Sequence, residues 1–243
     1  MNENQNWRTA VSGALNKEGY PVQSIWAFEF AGINQTNGDP MFVVPTPEEN
    51  PAAVTDATAW MKYMGSLEPD FTGGLSTTLR YTNVALSASF NLNLGGKRFL
   101  APMFSDDIVI DVPSAYNNLP KDFVDHWRQP GDVTDVPGIP SRDVQRRSVS
   151  LPSGLTEYSY RMYNYADIRV VSGSYLRCNN ISLSYFFPQK AIAPWGLHNL
   201  SCSLSVSSPF IIKSRDYKGL DPEVATGSQP ITRTYSFNVN ISL

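Results

Sequence analysis

The stretch "YTNVALSASFNLNLGG", Tyr81–Gly96, decides how this chain folds. Val84, Leu86, Ala88, Phe90, Leu92 and Leu94 alternate with Ala85, Ser87, Ser89, Asn91 and Asn93. A period of two over eleven residues predicts a strand with one apolar and one polar face. Thr82-Asn83 joins it to a second alternating run, Thr72–Tyr81, where Leu75, Thr77, Leu79 and Tyr81 oppose Ser76, Thr78 and Arg80. Two residues between two such runs predict a tight hairpin. Four more runs share the pattern. Ser24–Ile33 sets Trp26, Phe28 and Phe30 against Ala27, Glu29 and Ala31, and Tyr175–Phe187 carries Ile181, Leu183, Tyr185 and Phe187 on one face. Leu200, Cys202, Leu204 and Val206 alternate with Ser201, Ser203, Ser205 and Ser207. Thr234–Leu243 sets Tyr235, Phe237, Val239, Ile241 and Leu243 against Ser236, Asn238, Asn240 and Ser242. Trp7–Ala14 reads as a seventh strand.

The connections sharpen this reading. Thr82-Asn83 and Pro188–Asn199 are short, whereas Asn34–Phe71, Gly95–Ser174 and Lys213–Arg233 are long. Long structureless loops are uncommon inside compact soluble domains. Alternation of long and short connections instead fits an all-β, antiparallel, up-and-down transmembrane β-barrel segment, with short periplasmic turns and long extracellular loops. The apolar faces then meet lipid, and Glu29, Arg80, Asn91 and Asn93 face the lumen or whatever plugs it. Within the loops, Ala53–Met64 and Leu119–Trp127 read as helices, and Pro130–Pro140 as irregular turns. A secreted β-sandwich that binds carbohydrate is the rival, because a half-buried soluble sheet has the same period.

Composition narrows the function classes. The chain has 243 residues, 17% of them charged, and a formal net charge of -3. That offers no basic footprint for nucleic acid. No apolar run reaches the roughly 20 residues of a membrane helix, and "MNENQNWRTAV" lacks the regions of a secretory signal. No G-x-S-x-G, H-E-x-x-H or P-loop is present, and His126 and His198 are the only histidines, so neither an enzyme nor a cofactor is expected. Asp106, Asp107 and Asp111, or Asp216, Asp221 and Glu223, have calcium-type oxygen chemistry. The plainer reading is a solvated loop for the first set and a loop stiffened by Gly219 and Pro222 for the second, and no metal is expected. Cys178 is expected opposite about residue 208 and Cys202 opposite about 184, too far apart for a disulfide.

Four stretches carry a family resemblance. "EGYPVQSIWAFEFAGINQTNGDPMF" (Glu18–Phe42), "LEPDFTGGLSTTLRYTNVALSASFNLNLGGKRF" (Leu67–Phe99), "SGSYLRCNNISLSYFFP" (Ser172–Pro188) and "DYKGLDPE" (Asp216–Glu223) resemble, in family order, the C-terminal barrel of SusC/RagA TonB-dependent outer-membrane transporters. The resemblance covers nearly the whole chain. One departure is Leu243, where such chains usually close on an aromatic residue. The resemblance implies that residues 1–243 are the C-terminal part of a larger barrel of 22 strands, of which six or seven lie here, without plug domain or signal peptide. It implies import of an oligosaccharide or peptide across the Gram-negative outer membrane. The implied partners are a SusD-like surface lipoprotein, outer-membrane lipid, and TonB-ExbB-ExbD through an N-terminal part outside this chain. Loop residues expected to face substrate or partner are Tyr116, Phe123, Trp127, Tyr217, Asp221 and Glu223. For Tyr116, Phe123 and Trp127, and for Tyr158, Tyr160 and Tyr163, packing of the loops against each other or against a partner protein is the stronger expectation.

Overall fold

The structure, a computed structural model, describes residues 6–104, 121–140, 147–218, 221–224 and 228–242. The first elements are α1 (Trp7–Ser12), β1 (Ser24–Ala27), β2 (Phe30–Ile33), β3 (Pro40–Phe42), β4 (Lys62–Ser66), β5 (Pro69–Tyr81), β6 (Val84–Gly95) and β7 (Lys97–Phe99). After them come β8 (Ser148–Ser150), β9 (Thr156–Tyr158), α2 (Ser159–Asn164), β10 (Val170–Ser172), β11 (Tyr175–Phe186), α3 (Gln189–Ile192), β12 (Asn199–Lys213) and β13 (Thr234–Ser242). The chain divides into two compact units. One combines residues as far as Glu68 with Gly96–Val171, and the other combines Pro69–Gly95 with the chain from Ser172 onward.

The second unit is an antiparallel sheet in the order β13-β12-β11-β6-β5. The expected hairpin forms at Thr82-Asn83, with Tyr81 opposite Val84 and Thr82 at φ 51°. Registers align the sequence patterns across the sheet. Leu79, Leu86, Leu183, Leu204 and Phe237 make one row across all five strands. Tyr81, Val84, Tyr185, Cys202 and Val239 make the next row towards the hairpin turn, and Thr77, Ala88, Ile181, Val206 and Tyr235 the next away from it. These rows share one face, and it is open: Leu79 is 66% and Phe237 67% exposed. A β-sandwich would bury such a face against a second sheet; here a large contiguous apolar surface remains uncovered, which in water marks an interaction or membrane surface. From Val84 to Leu94 the apolar face of β6 runs ten residue steps, about 34 Å along the strand, or about 24 Å of height at a 45° tilt. That height matches the roughly 25 Å apolar band of an outer-membrane barrel.

The cysteines stay free. Cys178 lies opposite Phe90 and Phe210, and Cys202 opposite Tyr185 and Val239. Cys202 falls one residue from its expected partner, and Cys178 two, the second step coming from the irregularity between Cys178 and Asn180.

The first unit corrects several expectations. Ser24–Ile33 is not a stave of the five-stranded sheet. It breaks into β1, paired with β4, and β2, paired with β3, while Phe28 bridges Ala166. All four residues of β1 are buried, so neither of its faces meets lipid or lumen. Trp7–Ala14 is not a strand but contains the helix α1. Asn6 caps it, its Oδ1 accepting the Thr9 N–H at 2.9 Å, and Gly13 ends it in the left-handed region. Trp7, Ala10, Val11 and Leu15 are spaced for one helical face and are buried. Ala53–Met64 does not form one helix. Two 3-10 turns, Pro51–Val54 and Ala57–Ala59, precede β4, because Asp56 turns its carboxylate onto the Thr58 N–H at 2.9 Å and caps a fresh turn there. The described part of Leu119–Trp127 contains only the 3-10 turn Lys121–Asp125. Pro130–Pro140 is irregular as expected.

Two aromatic cores hold this unit. Trp7, Trp26, Phe28, Met61, Leu151 and Met162 belong to the larger, and Met103, Phe104, Phe123, Tyr160 and Tyr163 form the smaller. In the smaller core Phe104 meets Phe123, Tyr160 and Tyr163 edge-on at 5.3, 4.9 and 5.7 Å. Tyr160 donates to Asp39 Oδ1 at 3.1 Å, and Asp39 also pairs with Arg147. Burial, then the Asp39 charge, push the Tyr160 hydroxyl far above its ordinary pKa and keep it a donor.

The "NGDP" turn has a steric reason. Gly38 has φ +76°, and a Cβ there would lie 2.3 Å from Cε3 of Trp127. Gly38→Ala is therefore expected to lower stability by about 1–3 kcal/mol through overpacking. A denaturant titration reads the shift, and an unchanged midpoint would show that the Trp127 ring can move away.

Candidate functional site

The face opposite the apolar rows is the candidate functional surface. Thr78, Ser87, Ser182, Ser205 and Ser236 form a complete row of hydroxyls across the five strands. On either side lie Ser76, Ser89, Asn180, Ser207 and Thr234, and Arg80, Ala85, Ser184, Ser203 and Asn238. Thr78 and Ser87 share a hydrogen bond of 3.0 Å. Alternation explains the surface: the residues that complete each apolar strand face leave only small polar side chains for the other.

One residue breaks that alternation, and the break has a consequence. Counting back by twos from Ile181 would put Arg177 and Tyr175 on the apolar face. Instead the pairing slips between Cys178 and Asn180. Cys178 stands opposite Phe90 and Asn180 opposite Ser89, so Asn179 is an inserted residue, a β-bulge. Above it Leu176 joins Leu92 on the apolar face, while Arg177 and Tyr175 join Asn91 and Asn93 on the polar one.

Arg177 thereby reaches a charge cluster. Its Nη2 lies 2.5 Å from Asp221 Oδ1 and its Nε 2.5 Å from Glu223 Oε2. The Arg177 and Asp221 side chains are 5% and 6% exposed. Asp221 also accepts the backbone N–H of Glu223 at 3.0 Å and of Ile231 at 3.4 Å. Burial alone would raise the Asp221 pKa, but these N–H groups and the guanidinium outweigh it and hold the carboxyl below its ordinary value. The cluster ties the connection between β12 and β13 to the top of β11. Nothing local to "YLR" or to "DPE" joins the two segments. The available signal was that a lone arginine in a strand of serines, leucines and asparagines needs an acidic partner.

The expected site residues scatter. Asp221 and Glu223 engage Arg177, and Tyr217 is buried with Lys213 Nζ 5.4 Å from its ring. Phe123 is 6% exposed inside the smaller aromatic core, so its ring is spent on packing. Trp127 is half-buried, packs over Gly38 and Gly138, and donates from Nε1 to Gln35 Oε1 at 3.3 Å. Tyr116, Asp106, Asp107, Asp111 and Leu243 lie outside the described residues. On the polar face Asn91 is exposed, Asn93 donates to the Tyr175 hydroxyl at 3.2 Å, and the Arg80 guanidinium stacks 4.7 Å from the Phe186 ring. Glu29 is not on that face. It is exposed between β1 and β2 in the other unit, because the strand expected to carry it is broken there. Among the described residues no group of His, Cys, Asp or Glu is arranged to hold a metal, and no helix is long and apolar enough to cross a membrane.

An antiparallel meander, apolar and open on one face and hydroxyl-lined on the other, is the sheet type of β-barrel transporters. Comparison with known proteins makes this specific. The chain is 25% identical over 251 residues to the TonB-dependent receptor P3 of Formosa agariphila, covering 93% of this chain and 22% of that protein. It is similar in structure to the RagAB peptide importer in the open-open state, with a TM-score of 0.62, 20% identity, and coverage of 93% of this chain and 23% of that one. A second RagAB peptide transporter structure gives a TM-score of 0.62 at 20% identity over 92% of this chain. No protein-family model matches the sequence. The chain thus spans less than a quarter of the length of these relatives. The relatives are a TonB-dependent receptor and a peptide importer, and an open apolar face is the surface a barrel sheet presents to an outer membrane.

Proposed function

We propose that residues 1–243 are the C-terminal part of the barrel of a TonB-energised outer-membrane importer, working with a SusD-like surface lipoprotein. The row structure of the five-stranded sheet carries this reading: apolar rows of transmembrane height back onto hydroxyl rows. The likeness to the RagAB importer supports it. β5 and β13 each have an edge that pairs with no strand among the described residues. In lipid each unpaired backbone group costs several kcal/mol, so further strands pair there, as in a 22-stranded transporter with a plugged lumen. The cargo is an oligosaccharide or a peptide, and the hydroxyl face with Arg80, Asn91 and Asn93 lines the lumen and meets the plug.

The test compares neighbours on opposite faces. In the full-length transporter, Leu204→Arg puts a guanidinium at the centre of the apolar rows and is expected to cost about 2–4 kcal/mol. Ser205→Arg, one residue on, points into the lumen and should leave folding nearly unchanged. Denaturant midpoints of the membrane-inserted protein measure both, with growth on the cargo as the functional readout. Equal losses at the two positions would reject a sheet with one lipid face and one aqueous face.

A further inference from the structure

The loop-rich unit holds a cavity of about 220 Å³ that the lumen reading does not use. Three segments meet there: the start of α1, the pair of 3-10 turns, and the β8–β9 hairpin. Its floor is Trp7, Ala53, Ala57 and Leu151, each less than a tenth exposed. Val54 and Leu155 form apolar lips, 40% and 66% exposed. Asn6, Thr55, Ser153 and the half-buried Trp60 complete the rim. Among the described residues, the Thr55 and Ser153 hydroxyls and the Asn6 side-chain amide nitrogen have no hydrogen bond.

Size, charge and ring geometry select the ligand. The cavity is smaller than the roughly 300–1,000 Å³ of ordinary ligand pockets, so it fits neither an oligosaccharide nor an acyl chain. Among the described residues no charged side chain lines it. Two indoles line it, Trp7 and Trp60, and each is already packed, Trp60 against Phe28 at 5.5 Å. The Arg8 guanidinium lies 4.9 Å from the Trp7 ring centroid, and Phe28 and Tyr165 pack against the same indole at 5.4 and 5.7 Å. What remains is an apolar hole of side-chain size ringed by polar groups that suit a peptide backbone. We propose that this cavity takes one aliphatic or aromatic side chain of a peptide, with Asn6, Thr55 and Ser153 bonding the flanking backbone. The assignment of that peptide to cargo rests on the import reading.

The purified full-length transporter in detergent is titrated with N-acetyl-leucinamide, N-acetyl-glycinamide and methyl glucoside, following tryptophan emission. Leucinamide should give a saturable change, glycinamide a response at least ten-fold weaker, and the glucoside none. Ala57→Leu fills the hole and should abolish the leucinamide response. Leu155→Asp, on the exposed lip where folding is spared, should weaken it about ten-fold. Equal responses to the three probes, or no effect of either variant, overturns the inference. For cargo, Leu155→Asp should raise KM for uptake of a leucine-containing tripeptide and leave triglycine unchanged; an unchanged KM removes the cavity from the import route. Failure to import any nutrient would sink the import reading and leave the binding result standing, so the two failures are distinguishable.

Discussion

Insertion of one residue between Arg177 and Cys178 is expected to leave almost no correctly folded protein. Cys178 stays opposite Phe90, and Asn179 stays the extra residue that lets β11 cover two positions where β6 covers one. Beyond the insertion the alternation reverses, so Tyr175 and Arg177 turn onto the apolar face with Ile181 and Leu183. Leu176 turns to the polar face in exchange. Arg177 then loses Asp221 and Glu223 together. Breaking a buried ion pair by removing one partner costs about 3–5 kcal/mol, because the remaining charges stay desolvated. The misplaced arginine adds a further cost, below the roughly 2–4 kcal/mol of the midplane because it sits towards one end of the apolar band. Against a typical folding free energy of about 5–15 kcal/mol, that is a large share. The control is deletion of Asn179, which removes the bulge and leaves Cys178 next to Asn180, opposite Phe90 and Ser89. Alternation then keeps Arg177 on the polar face, and the loss should be the smaller of the two. Folded migration on unheated gels and the urea midpoint of the full-length transporter report both variants. An insertion variant with the parental midpoint would show that the register above the bulge does not decide which way Arg177 faces.

Arg177→Met should cost about 3–5 kcal/mol while leaving the register intact, since methionine fits the strand and leaves two carboxylates unpaired. The double variant Arg177→Met/Asp221→Asn should recover part of the loss, because the uncompensated charge goes with it. The pH dependence has a definite sign. The folded-state pKa of Asp221 lies below its ordinary value. Its contribution is therefore fully present above the unfolded value near about 3.9 and is lost only as pH falls through the lower folded value. The gap between parent and Arg177→Met should stay constant from about pH 5 to 8 and narrow below about pH 4. A gap that already closes near neutral pH would mean that Asp221 is not held by the guanidinium.

Four of the six expected strands were legible with their faces: β6, β11 and β13 match to within a residue at each end, β5 begins three residues earlier, at Pro69, and the fifth, β12, ran further than its alternation. Strict alternation is the imprint of a sheet whose two faces meet unlike surroundings. Ser24–Ile33 shows where the same signal misleads. Trp26 and Phe28 alternate with smaller residues, but in the structure they are buried in an aromatic core, and a period of two cannot distinguish lipid from other side chains. Trp7, Ala10, Val11 and Leu15 carried a helical spacing that a search for strands passed over. For Phe123 and Trp127 packing was the stronger expectation, and both rings are packed; their partners were not legible, because stacking on a ligand and closing a core call for the same residue types. The scattering of the remaining site residues has the same origin: burial is a property of contacts, and contacts among distant loops leave no local period.

The amino-acid order by itself determined the two-faced strands, the hairpin at Thr82-Asn83 and the kind of surroundings they need. These follow from backbone geometry, which sends successive side chains to opposite sides whatever the rest of the chain does. Only the tertiary structure decided that Arg177 points to the polar face, that Asp221 and Glu223 hold it, and that the long connections gather around their own aromatic cores. Each depends on one inserted residue or on partners tens of residues apart, where register and packing, not local periodicity, set the direction of a side chain.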